Sequence, residues 1–98
     1  MTLDDVRAAA LALDGATERD HHGRPSYRRR VIFATVPDDG HLHVMLDEEG
    51  IRDAVAEHPG WCEEKWWGKR LAAVRVDLAT ADPAVVRELL EDAWRLRG

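Results

Sequence analysis

Cysteine is almost missing from this chain of 98 residues, and with it goes every internal disulfide and every multi-thiol metal site. The lone Cys62 has nothing to pair with, and a single thiol suits a reducing compartment. Lysine is scarce as well: two stand against twelve arginines, so the positive charge is nearly all guanidinium. Together with the many alanines, that bias is the composition expected of a GC-rich bacterial genome. No run approaches the ~18 apolar residues a membrane-spanning helix needs. Met1-Thr2-Leu3-Asp4-Asp5 is acidic where a secretory leader is basic, so the expected location is the cytoplasm, with no membrane partner. Glycine never clusters ahead of a helix, which removes the phosphate loops of nucleotide enzymes, and neither Gly-x-Ser-x-Gly nor His-Glu-x-x-His occurs.

What is present suits one folded domain spanning residues 1–98: 45% of the chain is hydrophobic and 34% charged. The net charge of −5 argues mildly against a nucleic-acid partner, but its distribution is uneven. Residues 18–36 carry a net charge of +3, residues 37–60 carry −6, and residues 61–77 return to +1. Positive charge therefore collects in two segments that both read as strands and connecting loops.

Thr2-x-x-Asp5 is a capping box, and Leu3, Val6, Ala10 and Leu13 follow at helical spacing, predicting a helix over 3–13 that Asp14-Gly15 ends. Short strands are expected at 18–22 and 26–29 around Gly23-Arg24-Pro25, and the β-branched run 31–36 should form a third. Pro37-Asp38-Asp39-Gly40 is the clearest turn signal, joining that run to a strand over 41–46 through a slightly long loop. Asp47 then caps a second helix that Pro59-Gly60 stops after His58. Residues 61–70 hold three of the four tryptophans and no clear period, and read as irregular. Val74-Arg75-Val76-Asp77-Leu78 alternates like a strand with one wet face. Asp82-Pro83 opens a last helix whose apolar stripe is Val86, Leu89, Leu90, Ala93 and Trp94. The order helix, four-stranded antiparallel meander, helix, strand, helix predicts an α+β domain with its helices on one face of the sheet.

The stretch His21-His22-Gly23-Arg24-Pro25-Ser26-Tyr27-Arg28, the Ile32-Phe33-Ala34-Thr35 strand, the His43-Val44-Met45-Leu46-Asp47 exit and the late Trp67-Gly68 resemble the MmcQ/YjbR family. The resemblance spans nearly the whole chain. It implies a fold similar to the frataxin type and a "double wing" DNA-binding module. Family members often carry a Gly-Lys pair between the second and third strands, where this chain has Arg28-Arg29-Arg30 and a tighter connection.

Two functions compete for the same segments. In the first, Arg24, Arg28, Arg29, Arg30, Lys69 and Arg70 meet the phosphates of DNA or another polyanion, and Trp66 or Trp67 stacks on a base. Strand alternation lets at most two of the three consecutive arginines share a face unless a turn reorients them. The plainer account is a solvated hairpin tip whose arginines pair with the acidic segment 47–57. In the second function, His22, Arg24, Tyr27 and Trp61 build a pocket for a small ligand or a protein, with no nucleic acid involved. His41 and His43 fall on one strand face as a metal pair would, but further ligands would have to come from His58, Cys62 or a carboxylate elsewhere in the fold, and none of the usual metal-site spacings is present, so no metal or other cofactor is expected. Ser26 lacks a third catalytic group, and Cys62 precedes Glu63-Glu64, whose charge opposes a thiolate. The expected protein is a binding module and not an enzyme, with a monomer the favoured state.

Overall fold

The computed structural model describes residues 1–97. Its elements run α1 (Leu3–Leu11), β1 (Thr17–His21), β2 (Arg24–Arg28), β3 (Ile32–Asp38), β4 (His41–Val44), α2 (Glu48–Glu57), β5 (Cys62–Trp67), β6 (Arg70–Asp77) and α3 (Pro83–Leu96). The helix boundaries follow the caps. Thr2 Oγ1 accepts from Asp5 N at 3.1 Å while Thr2 N donates to Asp5 Oδ2 at 2.8 Å; Asp47 accepts from Gly50 N at 2.7 Å and Asp82 from Ala84 N at 3.0 Å.

All six strands form one antiparallel sheet in the order β1-β2-β3-β4-β6-β5. The fold class is the α+β class the sequence predicts, with one correction: residues 62–67, expected to be irregular, are a strand. That strand is an edge. Only Cys62 along it is buried, so the half-buried alternation that betrays an inner strand never develops. A register shift between Lys65 and Trp66 blurs what period remains. The other edge, β1, is fringed by Glu18, Arg19 and Asp20, charges that discourage pairing with another sheet.

Three tight turns shape this sheet. His22 and Gly23 both take positive φ, 55° and 81°, between the paired residues His21 and Arg24; that is the twist a two-residue hairpin demands, with histidine where asparagine or aspartate is usual. Gly68 takes φ 59° in the second such turn, between the paired Trp67 and Arg70. The Asp38–His41 connection is likewise two residues long, shorter than expected: Asp38 Oδ1 accepts from both Gly40 N (2.8 Å) and His41 Nδ1 (2.9 Å).

One core lies between the sheet and the helices. α3 packs over β3 and β4 and against α1, while α2 packs over β5 and β6. Val86, Leu89, Leu90 and Ala93 of α3 meet Tyr27, Phe33, Ala34, Leu42, Val44 and Val74. Among the described residues no helix is long and apolar enough to cross a membrane. Leu90 is 0% exposed and Leu96, one and a half turns on, is 53% exposed. Leu90→Ala is therefore expected to lower the unfolding free energy by about 2–5 kcal/mol and Leu96→Ala by under about 0.5 kcal/mol, read from urea midpoints.

Candidate anion-binding cavity

The face of the sheet turned away from the helices is polar. Residues paired strand by strand across it are Arg19, Ser26, Thr35, His43, Arg75 and Glu63, while Tyr27, Ala34, Val44 and Val74 alternate with them into the core. Ser26 is fully buried and its hydroxyl donates to the Arg19 carbonyl at 3.0 Å. Arg75 donates from Nη1 to His43 Nε2 at 3.0 Å, and its guanidinium also reaches Asp38 (3.5 Å) and Glu63 (3.3 Å). Burial, and then the positive charge of Arg75, hold the His43 pKa down to about 4, with Lys65 and His41 adding to the effect and Asp38 opposing it. His41 is engaged separately by Asp38, so the two histidines that share a strand face do not converge; among the described residues no group of three or more His, Cys, Asp or Glu could hold a metal.

At one end of this face lies a cavity of about 440 Å³ lined by His21, Arg28, Arg30, Val31, Ile32, Thr35, Met45, Trp67, Arg70 and Arg97. Among the described residues four arginines line it and no carboxylate does. Arg28 closes β2 opposite Ile32, and the loop that follows is pinned by Arg29 N donating to the Val31 carbonyl at 3.3 Å. Arg70 opens β6 across from Trp67. Arg97 caps the C-terminal end of α3. Two strand ends, the β2–β3 loop and a helix end thus deliver guanidinium groups to one volume.

Arg19, Arg52 and Arg87 also lack partners among the described residues; what sets the cavity apart is that four unpaired arginines share it and two of them bury a donor. Arg7 pairs with Glu18, Arg24 with Asp39, Arg75 with Asp38 and Glu63, and Arg95 with Glu91 and Asp92. Arg28, Arg30, Arg70 and Arg97 make no ion pair or side-chain hydrogen bond among the described residues, and the Nε atoms of Arg28 and Arg97 are buried with no acceptor. A buried donor without an acceptor loses the water it would otherwise hold, which a ligand oxygen can replace. Trp67 adds an indole that is 52% exposed, beside Val31.

Of the residues expected to meet a polyanion, Arg28, Arg30, Arg70 and Trp67 come together here. The other four do not. Arg24 is turned to Asp39 (2.7 Å) and the Val36 carbonyl (3.4 Å); Arg29 lies over the Trp94 indole at 3.9 Å from the ring centroid and donates to the Trp94 carbonyl at 3.3 Å. Trp66 donates from Nε1 to Glu64 at 3.1 Å, and Lys69 sits exposed in the turn outside the lining. Arg97 was not among the expected residues, because only the path of α3 brings the end of the chain beside residues 28 and 70. The alternative pocket does not assemble. Tyr27 is 1% exposed, with burial and the neighbouring Glu18 raising its pKa; Trp61 stacks on His58 at 4.8 Å beside Cys62; His22 is spent on the turn. Burial also pushes the Cys62 thiol up to about 11.

A larger cavity, about 540 Å³, separates α2 from α3, but Asp47, Asp53, Glu57, Glu88 and Asp92 rim it, the wrong sign for an anion.

Comparison with known proteins gives two findings. A family model described as YjbR matches residues 11–96. The crystal structure of Deinococcus radiodurans protein DR2400, which carries a DUF419 domain, is similar with a TM-score of 0.79 at 20% identity, over 97% of this chain and 77% of that one; at that identity the likeness is one of fold. No curated protein matches the chain.

His43 gives this face a measurable pH signature. The unfolded chain takes up a proton near pH ~6.5 and the folded chain only near 4, so stability is complete above about 6.5 and falls as the pH drops toward 4. Between pH 7 and 4.5 the wild type should lose of order 2 kcal/mol more than His43→Gln, measured by urea unfolding of both at each pH.

Proposed function

The chain belongs to the YjbR family, and from that premise we propose that it is a cytoplasmic, monomeric nucleic-acid-binding module that engages DNA through the arginine cavity. The observation that carries the reading is the convergence of Arg28, Arg30, Arg70 and Arg97 on one volume without a carboxylate among the described residues of its lining. Guanidinium groups grip phosphate oxygens through paired N–H donors, and four of them held by the fold need little further ordering when a phosphate arrives. The net charge of −5 does not oppose this, because unpaired charges within about a Debye length, ~10 Å at moderate salt, dominate what a ligand feels at the cavity.

The same reading makes the protein a binder and not a catalyst. Ser26 is sealed under the sheet surface and hydrogen-bonded to backbone, Cys62 is buried with its thiol protonated at neutral pH, and His43 has its Nε2 occupied by Arg75. Ser26 and His43 thus have their polar atoms engaged within the protein, and the protonated Cys62 thiol beside a small cleft of about 180 Å³ is a poor nucleophile.

If phosphate contacts supply the affinity, the logarithm of the association constant falls linearly with the logarithm of salt concentration. Fluorescence anisotropy of labelled DNA should show that slope flatten by roughly 1.5 to 2 units in the double variant Arg28→Ala/Arg97→Ala. Arg24→Ala, which removes the contacts with Asp39 and the Val36 carbonyl and lies outside the cavity, should leave the slope unchanged. Absence of low-salt binding to both duplex and single-stranded DNA would sink the proposal.

A further inference from the structure

We infer that the cavity takes one unstacked nucleotide of a single strand, its phosphate on Arg28 and Arg97 and its base against Trp67, so that single strands bind in preference to duplex. This rests on the reading above and narrows it to one substrate class.

The shape of the site is the first argument. A volume of about 440 Å³ lies within the ~300–1,000 Å³ of small-ligand pockets, and it is concave. Duplex DNA offers a protein its backbone ridges and the edges of stacked bases, and a backbone ridge meets arginines on a surface as well as it meets them in a hole. A concavity is filled only by something that leaves the stack. The contents of the site are the second argument. Phosphate contacts alone would need no aromatic surface, yet Trp67 is 52% exposed and Val31 50% exposed within the same lining, an apolar wall of the kind on which an unstacked base lies flat.

Trp67 also differs from its neighbour. Trp66 is 43% exposed, but its indole N–H is engaged by Glu64 and it lies outside the cavity. Trp67 is set by its pairing with Arg70 across the Gly68 turn, so the stacking surface and one of the four guanidinium groups are held by the same hairpin. A strand passing through the site would place its base on the hairpin's Trp67, with the hairpin's Arg70 beside it and Arg28 and Arg97 within the same cavity for the phosphate.

The test uses three oligothymidine-length probes carrying the same internal fluorescent label: a single strand, the same strand annealed into duplex, and an abasic strand that keeps the phosphates and lacks the bases. The full chain should bind the single strand at least about tenfold more tightly than either of the others, with quenching of tryptophan fluorescence. Trp67→Ala should lower single-strand affinity by about tenfold or more and leave abasic binding unchanged, whereas Trp66→Ala should change neither. Equal affinity for the single strand and the duplex, or for the single strand and the abasic strand, overturns the inference while nucleic-acid binding stands. A chain that binds none of the three overturns both. Because Trp67 is half exposed, its replacement leaves the core intact; circular dichroism of the variant, matching wild type, keeps a loss of binding attributable to the indole.

Discussion

The guanidinium of Arg29, lying 3.9 Å from the centroid of the Trp94 indole, holds together the parts of this molecule that matter for its chemistry. Arg29 also donates to the Trp94 carbonyl, and the Trp94 N–H donates to the carbonyl of Asp14 at 2.8 Å, so one pair of side chains ties the β2–β3 loop, the last turns of α3 and the exit of α1. A cation over an indole contributes about 0.5–2 kcal/mol depending on how dry the contact is, modest in itself. Its larger effect is directional. With Arg29 drawn to the helices, its neighbours Arg28 and Arg30 are left to line the opposite side of the loop, and Arg97, three residues past Trp94, arrives beside them. Three consecutive arginines are thereby divided two against one, as alternation along an extended chain requires.

Much of this architecture is legible in the chain because its signals are local. Thr2, Asp47 and Asp82 announce helix starts by side-chain chemistry, and each makes the cap its identity promises. The inner strands show themselves through runs rich in β-branched residues such as Val31-Ile32-Phe33-Ala34-Thr35-Val36, of which Phe33, Ala34, Thr35 and Val36 are buried. β5 is different in kind. Cys-Glu-Glu-Lys-Trp-Trp is held by its hydrogen bonds to β6 and not by burial, so no property of the segment alone distinguishes it from a loop. The cavity was legible by halves: charge clustering singled out Arg28, Arg30 and Arg70, and the pairing of aromatic with basic residues singled out Trp67. Clustering in sequence could not tell those arginines from Arg24 and Arg29, because the choice between a carboxylate, an indole and open solvent is made by tertiary neighbours. Tyr27 misled for the same reason, a polar tip on a body the core needed.

Charge separates in space as well as along the chain. The groove between α2 and α3 gathers five carboxylates around a floor of Leu46, Ala54 and Leu89, and the cavity on the other side of the sheet gathers four guanidinium groups. Asp47 and Glu48, at the start of α2, stand in a small cleft that also touches Arg70 and Arg97, so the boundary between the two fields runs through the first turn of α2. The acidic residues there serve the helix: Asp47 caps it and Glu48 and Glu49 complement its dipole. They also lower the potential behind the arginines without closing on them, since no ion pair forms between these groups among the described residues.

That arrangement works against the stability of the fold. Four like charges around one volume repel, and the unpartnered Nε atoms of Arg28 and Arg97 have given up water for no acceptor, each a loss of about 1–3 kcal/mol by ordinary accounting. The long stems of the arginines recover part of it by covering Ile32, Thr35 and Met45 on a sheet face that no helix shields. If covering that face were the whole requirement, leucine or methionine would serve with no desolvated charge, and a carboxylate placed among the arginines would quiet the repulsion. The chain does neither here, although it pairs Arg7, Arg24, Arg75 and Arg95 with acids elsewhere. Two buried, unsatisfied guanidinium donors and two exposed ones, drawn from distant segments to one concave site, are the pattern that the proposed binding role would leave, with stability yielded for function.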